Sequence, residues 1–217
     1  MPISWIDFLP ALLEGVEITL QVAVFSSVLA LAIAVVVGLL KLSKKWWVRA
    51  LTGVYVEIFR GTSLLVQLFW LYFVLPFIGI ELPKLAAAIL AVGLNFGAYG
   101  SEIVRSSIRA IPKGQWEAAI ALNMRPWQRM IHIIFPQAFV RMLPPFGNLF
   151  IELVKSTSLV YFITMADLTY QAMVLRSNYI SWTSEIFGLL LIIYFIISAL
   201  VAFGVRMLER KLTAGRM

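Results

Sequence analysis

Three acid–base pairs stand at i, i+3 spacing in this sequence: Glu57/Arg60, Glu102/Arg105 and Glu152/Lys155. Residues so spaced share one face of a helix. Where the surroundings are apolar, each pair lowers the cost of holding two charges there. The third pair has further company. Asn148, Glu152 and Ser156 are four apart and line one helix face, with Lys155 at its margin. A carboxylate set among neutral donors suits a cationic group of a polar solute, with Asn148 or Ser156 able to donate beside it. Thr62, Ser63 and Asn95 are polar residues in equally apolar surroundings and are weaker candidates for the same pathway. Gln67 and Tyr99 suit hydrogen bonds between helices. This is chemistry of holding and passing a solute.

Bond-breaking chemistry finds no support. Cysteine is absent and His132 is the single histidine. Thiolate metal sites, iron–sulfur clusters, disulfides and histidine clusters are therefore excluded. No serine nucleophile comes with a histidine and acid to activate it. The phosphate-binding pattern GxxxxGK[ST] does not occur. We expect no cofactor on this chain, and any ATP and Mg would have to be bound elsewhere.

The elements that position these residues are membrane spans. The chain has 217 residues, 61% hydrophobic and only 13% charged, with a mean hydropathy of +0.92. A typical soluble domain carries about twice that charged share. Uncharged windows at 18–40, 61–80, 85–101 and 186–205 are each close to the roughly 20 residues a spanning helix needs. A fifth span, 142–166, carries Glu152 and Lys155. The expectation is an all-α polytopic membrane protein of about five spans, forming one domain over 1–217.

Positive charge orients the spans. Lys41, Lys44, Lys45 and Arg49 follow the first, and Arg105, Arg109, Lys113, Arg125, Arg129 and Arg141 lie between the third and fourth. Arg206, Arg210, Lys211 and Arg216 close the chain, while Lys84 and Arg176 fall on the other side. The positive-inside rule puts the N-terminus outside and the C-terminus in the cytoplasm. Before the first span, Trp5, Phe8, Leu9, Leu12 and Leu13 recur at helical spacing and suit a helix on the membrane surface. The outer connection 166–185 carries the interfacial aromatics Tyr170, Tyr179 and Trp182.

The cytoplasmic stretch 111–136 is a polar, basic helix-turn-helix. Pro112 suits a first helical turn, and Gln115 to Leu122 is expected to be helical, with Glu117 near the positive end of the dipole. Asn123 suits a left-handed cap. Pro126 opens a second helix, expected to break at Pro136. The small pair Ala118-Ala119 would leave a flat surface for another protein.

Glu117-Ala118-Ala119, the cap at 123, Ile133 and Pro136 resemble the EAA loop of binding-protein-dependent ABC importer permeases. Asn123 stands where that motif usually has glycine, and Phe135-Pro136 where it has Leu-Pro. Other runs are similar to the polar amino acid branch, the histidine/glutamine/arginine type: YVEIFRGTSLLVQLFWLY from Tyr55, AYGSEIVRSSIRAIPKGQWEAA from Ala98, FPQAF from Phe135 and LPPFGNLFIELVKSTSLV from Leu143. Ser63 replaces a usual proline, and Lys155-Ser156-Thr157 a usual Lys-Asp-Thr.

The resemblance implies a MetI-like ABC permease fold and a non-catalytic subunit in a bacterial inner membrane. It implies coupling through Glu117, Ala118, Ala119 and Asn123. The partners it implies are ABC ATPase subunits, a second permease subunit (identical or not), an extracytoplasmic solute-binding protein and membrane lipid, with no nucleic acid. Two other classes compete. An intramembrane enzyme would need the nucleophile or ligand set that is lacking. An ATP-independent transporter or channel would have no use for the EAA-like loop.

Overall fold

The computed structural model describes residues 4–213, so Arg216 lies outside the described residues. A short 3-10 turn, Trp5–Phe8, runs straight into α1, Leu9–Leu40. The expected surface helix is therefore the N-terminal end of the first span. Pro10 falls in the first turn, where a missing N–H costs nothing. Phe8 and Leu12 are buried with Leu168, Ala172 and Ile186, and that burial holds the N-terminal end against its neighbours.

After α1 come α2, Trp46–Gly61, and α3, Leu64–Phe69. A π-turn, Trp70–Val74, and a 3-10 turn, Leu75–Ile78, continue α3. The helices on either side of Thr62-Ser63 meet at 103°. The expected single span 61–80 is thus corrected: its helix begins at Leu64, and a separate helix precedes it. A search for uncharged windows misses α2 because Arg49, Glu57 and Arg60 interrupt it.

The third span is α4, Lys84–Arg109. The hairpin within 111–136 consists of α5, Lys113–Ala121, and a one-turn α6, Pro126–Gln128. A π-turn, Arg129–Ile134, carries α6 into α7, Phe135–Ser156, and a 3-10 turn, Thr157–Ile163, ends the run. The expected break at Pro136 does not occur. Proline has no N–H for the carbonyl four residues back. The chain instead widens by one residue, and Phe135 N–H bonds to the carbonyl of Met130. The same device precedes Pro76, where Leu75 N–H reaches Trp70. The connection 166–185 is also helical, as α8, Leu168–Asn178, before α9, Thr183–Thr213.

Four helical runs among the described residues are long and apolar enough to span a membrane, and the bent pair makes five. α1 packs chiefly against α4, and α7 bridges α4 and α9. Small residues permit the α1–α4 approach, as is usual between helices in lipid. A side chain at Gly97 would meet Ile33, and one at Gly100 would lie 2.7 Å from Ala34. Ala30, Ala34, Phe96, Val104, Phe146 and Leu153 form the centre of the core. The outward faces of α1 and α9, among them Val24, Val28, Phe195 and Leu200, are exposed and apolar.

Candidate functional site

The break between α2 and α3 leaves the last carbonyls of α2 without helical partners, and those groups need satisfying at membrane depth. Side chains from two helices supply the donors. Asn95, buried on α4, donates to the Phe59 carbonyl at 2.8 Å and to Gln67 Oε1 at 3.1 Å. Gln67 donates to Phe59 O at 3.0 Å and Thr62 Oγ1 at 2.7 Å, and Thr62 donates to Ile58 O at 2.7 Å. The Arg60 guanidinium lies 5.0 Å from the centre of the Tyr99 ring. The expected interhelical bonding of Asn95 and Gln67 is present, and its role is to clamp the bend.

The bend forms one wall of a cleft of about 460 Å³. Thr62 and Ser63 line it from the break, Asn95, Phe96 and Tyr99 from α4, and Glu152, Lys155 and Ser156 from the end of α7. Five of the six expected pathway residues are thereby brought together from two helices and the break. Asn148 is not among them. It is exposed one turn earlier on α7, where the helix carries Pro144 and Pro145, and the cleft wall ends before it.

The charge pairs also sort themselves. Glu102 forms one of the three expected pairs, with Arg105 Nε at 2.8 Å, and it also binds Lys41 at the end of α1. Glu57/Arg60 and Glu152/Lys155 make no ion pair, although both members of the latter line the cleft. Glu152 therefore presents an exposed carboxylate to a polar cleft without a cation in contact.

On the α5–α6 hairpin, Asn123 adopts φ 55°, the left-handed conformation its residue type tolerates. Its N–H bonds to Ile120 O at 2.8 Å and Met124 N–H to Ala119 O at 3.1 Å, the paired bonds of a Schellman cap. The arrangement turns Glu117 and Ala118 outward and Ala119 inward, where it is 2% exposed. Ala119 is therefore no part of a flat outer surface. Its small side chain lets α5 lie close to the chain beside the partly buried Trp116. Ile120 and Leu122 are the exposed apolar residues of this face. Apolar side chains in an otherwise polar loop are the signal that marks them. His132 is exposed, with Nδ1 3.1 Å from the Gln128 carbonyl of its own helix.

Known proteins resemble this chain over nearly its whole length. Residues 20–214 match the family described as binding-protein-dependent transport system inner membrane component. A probable amino-acid ABC transporter permease protein of Sinorhizobium fredii is 41% identical over 100% of this chain and 93% of its own. The L-cystine transport system permease protein of Bacillus subtilis is 36% identical over 95% of this chain and 88% of its own. The glutamine transport system permease protein of Escherichia coli is 34% identical over 94% of each. The crystal structure of an amino acid ABC transporter with histidines superposes with a TM-score of 0.88 at 31% identity, covering 97% of this chain and 100% of that one. The MetNI methionine ABC transporter, at 20% identity and a TM-score of 0.78 over 95% and 98% of the two chains, shares the fold. The chain belongs to the inner membrane components of binding-protein-dependent transport systems, the membrane subunits of ABC importers.

Proposed function

We propose that this subunit imports a polar amino acid or a similar zwitterion, and that the cleft at the α2–α3 break holds it in transit. The observation that carries the reading is Glu152, a carboxylate unpaired by protein and facing Thr62, Ser63, Asn95 and Ser156 across one cleft. It meets the ammonium, while the hydroxyls of Ser63 and Ser156 meet the carboxylate. Relatives named for cystine and glutamine transport support the substrate class.

Energy comes from elsewhere in the assembly. ATP and Mg sit on a partner ATPase, and the outward face of α5 with Glu117, Ala118, Ile120 and Leu122 docks it. Asn123 holds that face in place. A second permease subunit closes the pathway, and an extracytoplasmic binding protein delivers solute to the outer side, where the N-terminus lies.

The test is uptake by the assembled complex carrying Glu152→Gln. Hydrogen bonds to a charged group are worth about 1.5–3 kcal/mol, so uptake at low solute should fall roughly tenfold or more while assembly persists. Glu152→Gln/Lys155→Met should stay impaired. Full uptake in that double variant would mean that Glu152 only balances Lys155, and the binding role would be lost.

A further inference from the structure

We propose that the cleft between the α5–α6 hairpin and the ends of α1 and α4 binds the phosphate headgroup of an anionic phospholipid. The cleft measures about 560 Å³ and is lined by Lys44, Arg109 and Arg129 together with the apolar Leu42, Ile108, Trp116, Pro126 and Met130. Three cations converge on it and no acidic side chain lines it. None of the three makes an ion pair, and Nε of Arg129 is buried without a hydrogen-bond partner. Nearby, Glu102 neutralises Lys41 and Arg105, so the chain places a carboxylate beside cations it needs to balance within itself. This cleft is left for an anion from outside.

Position selects the source. α1, a spanning helix, ends at Leu40, so Leu42 and Lys44 mark the boundary between bilayer and water. Immediately after the cleft come the exposed Trp46 and Trp47, with Lys45 5.5 Å from the Trp47 ring centre. Such tryptophans anchor at the headgroup level. A lining of apolar side chains and three cations matches the junction of acyl chain and headgroup, whereas a free phosphate would favour a wholly polar lining. Basic pockets beside spanning helices on the cytoplasmic face are where anionic headgroups bind. Because Trp116 belongs to α5 and Arg129 to the turn after α6, a bound headgroup braces the hairpin against α1 and α4.

The test measures lipid retention by the purified full-length chain with whatever subunits copurify, so its failure leaves the solute reading standing. Native mass spectrometry follows phosphatidylglycerol against phosphatidylcholine. Wild type should retain phosphatidylglycerol preferentially, and inorganic phosphate at millimolar concentration should not displace it. Arg109→Gln/Arg129→Gln should weaken retention about thirtyfold, and Lys44→Gln alone about fivefold, from the contribution of each cation near a membrane surface. Arg109→Lys/Arg129→Lys should hold most of it. The single Lys44→Gln variant decides the matter if the double variant does not assemble. Equal retention of the two lipids, or unchanged retention in the Gln variants, overturns the proposal. Displacement by phosphate would make this a soluble-anion site. Loss of the ATPase subunit with lipid retention intact would make it a protein contact.

Discussion

Asp167 shows how far a single residue's role depends on its neighbours. It caps α8, accepting N–H bonds from Thr169 at 3.2 Å and Tyr170 at 3.0 Å, and it is fully buried. Close by, Leu168 N–H reaches Thr19 Oγ1 on α1, and a side chain at Gly15 would strike the Asp167 carbonyl at 2.7 Å. Burial raises the Asp167 carboxyl from 3.8 to about 6, against the opposing pull of its N–H donors. With the folded value above the unfolded one, the stability it contributes is complete below about pH 3.8. That contribution is lost as pH rises through about 6. Asp167→Asn keeps an acceptor at the cap and removes the charge, so the variant's melting temperature should gain on wild type as pH rises through that window. Asp167→Ala should lie about 1 kcal/mol below Asp167→Asn at every pH, from the missing cap. A wild type and Asn variant that respond identically to pH would contradict this assignment. Sequence alone passed over Asp167, because an acid in a loop shows no sign of being buried. It singled out Glu152, Asn95 and Thr62, which line one cleft, because polar residues in apolar spans are conspicuous. It grouped Asn148 with them although Asn148 lies outside that cleft, because i, i+4 spacing fixes a shared helix face but not where a cleft ends along it.

At the scale of elements, prolines and caps decided more than hydropathy. Pro76 and Pro136 each follow a π-turn and not a break, and the alternative to breaking is invisible in a pattern of apolar residues. The division of α2 from α3 was equally hidden, since the Gly61-Thr62-Ser63 bend depends on Gln67 and the distant Asn95 to satisfy its carbonyls. The hairpin was more legible, because Asn123 states its left-handed conformation locally. That gives a prediction. Asn123→Gly should leave α5 intact, whereas Asn123→Val forces a β-branched residue into φ 55° at a cost of about 1–2 kcal/mol. Amide exchange across residues 113–124 should speed up in the Val variant and not in the Gly variant, with ATPase copurification falling in parallel. Unchanged exchange in Asn123→Val would show that the cap does not hold the helix.

At the scale of the whole molecule, the cations counted along the chain meet in space. Lys41 from α1 and Arg105 from α4 share Glu102, and Arg141 from α7 reaches the Ala110 carbonyl at 2.6 Å, so three spans end together in basic residues. At the far end Lys84 donates to Thr164 Oγ1 at 2.8 Å, and α8 carries Arg176 near its close. A chain so polarised has one favoured orientation, since moving the basic end across the bilayer would take every one of those charges through it. The absence of cysteine makes the orientation directly readable. Lys113→Cys sits at the exposed start of α5 and Asn178→Cys at the exposed end of α8, each far from the packed core. In intact cells a membrane-impermeant maleimide should label Asn178→Cys and spare Lys113→Cys until the membrane is permeabilised. The reverse pattern would invert the whole assembly, placing the hairpin outside, where no ATP-driven partner can reach it. Labelling of both in intact cells would instead mean that the run between them, Pro126–Ile163, does not cross the bilayer, and this is the span that carries Glu152 and Lys155.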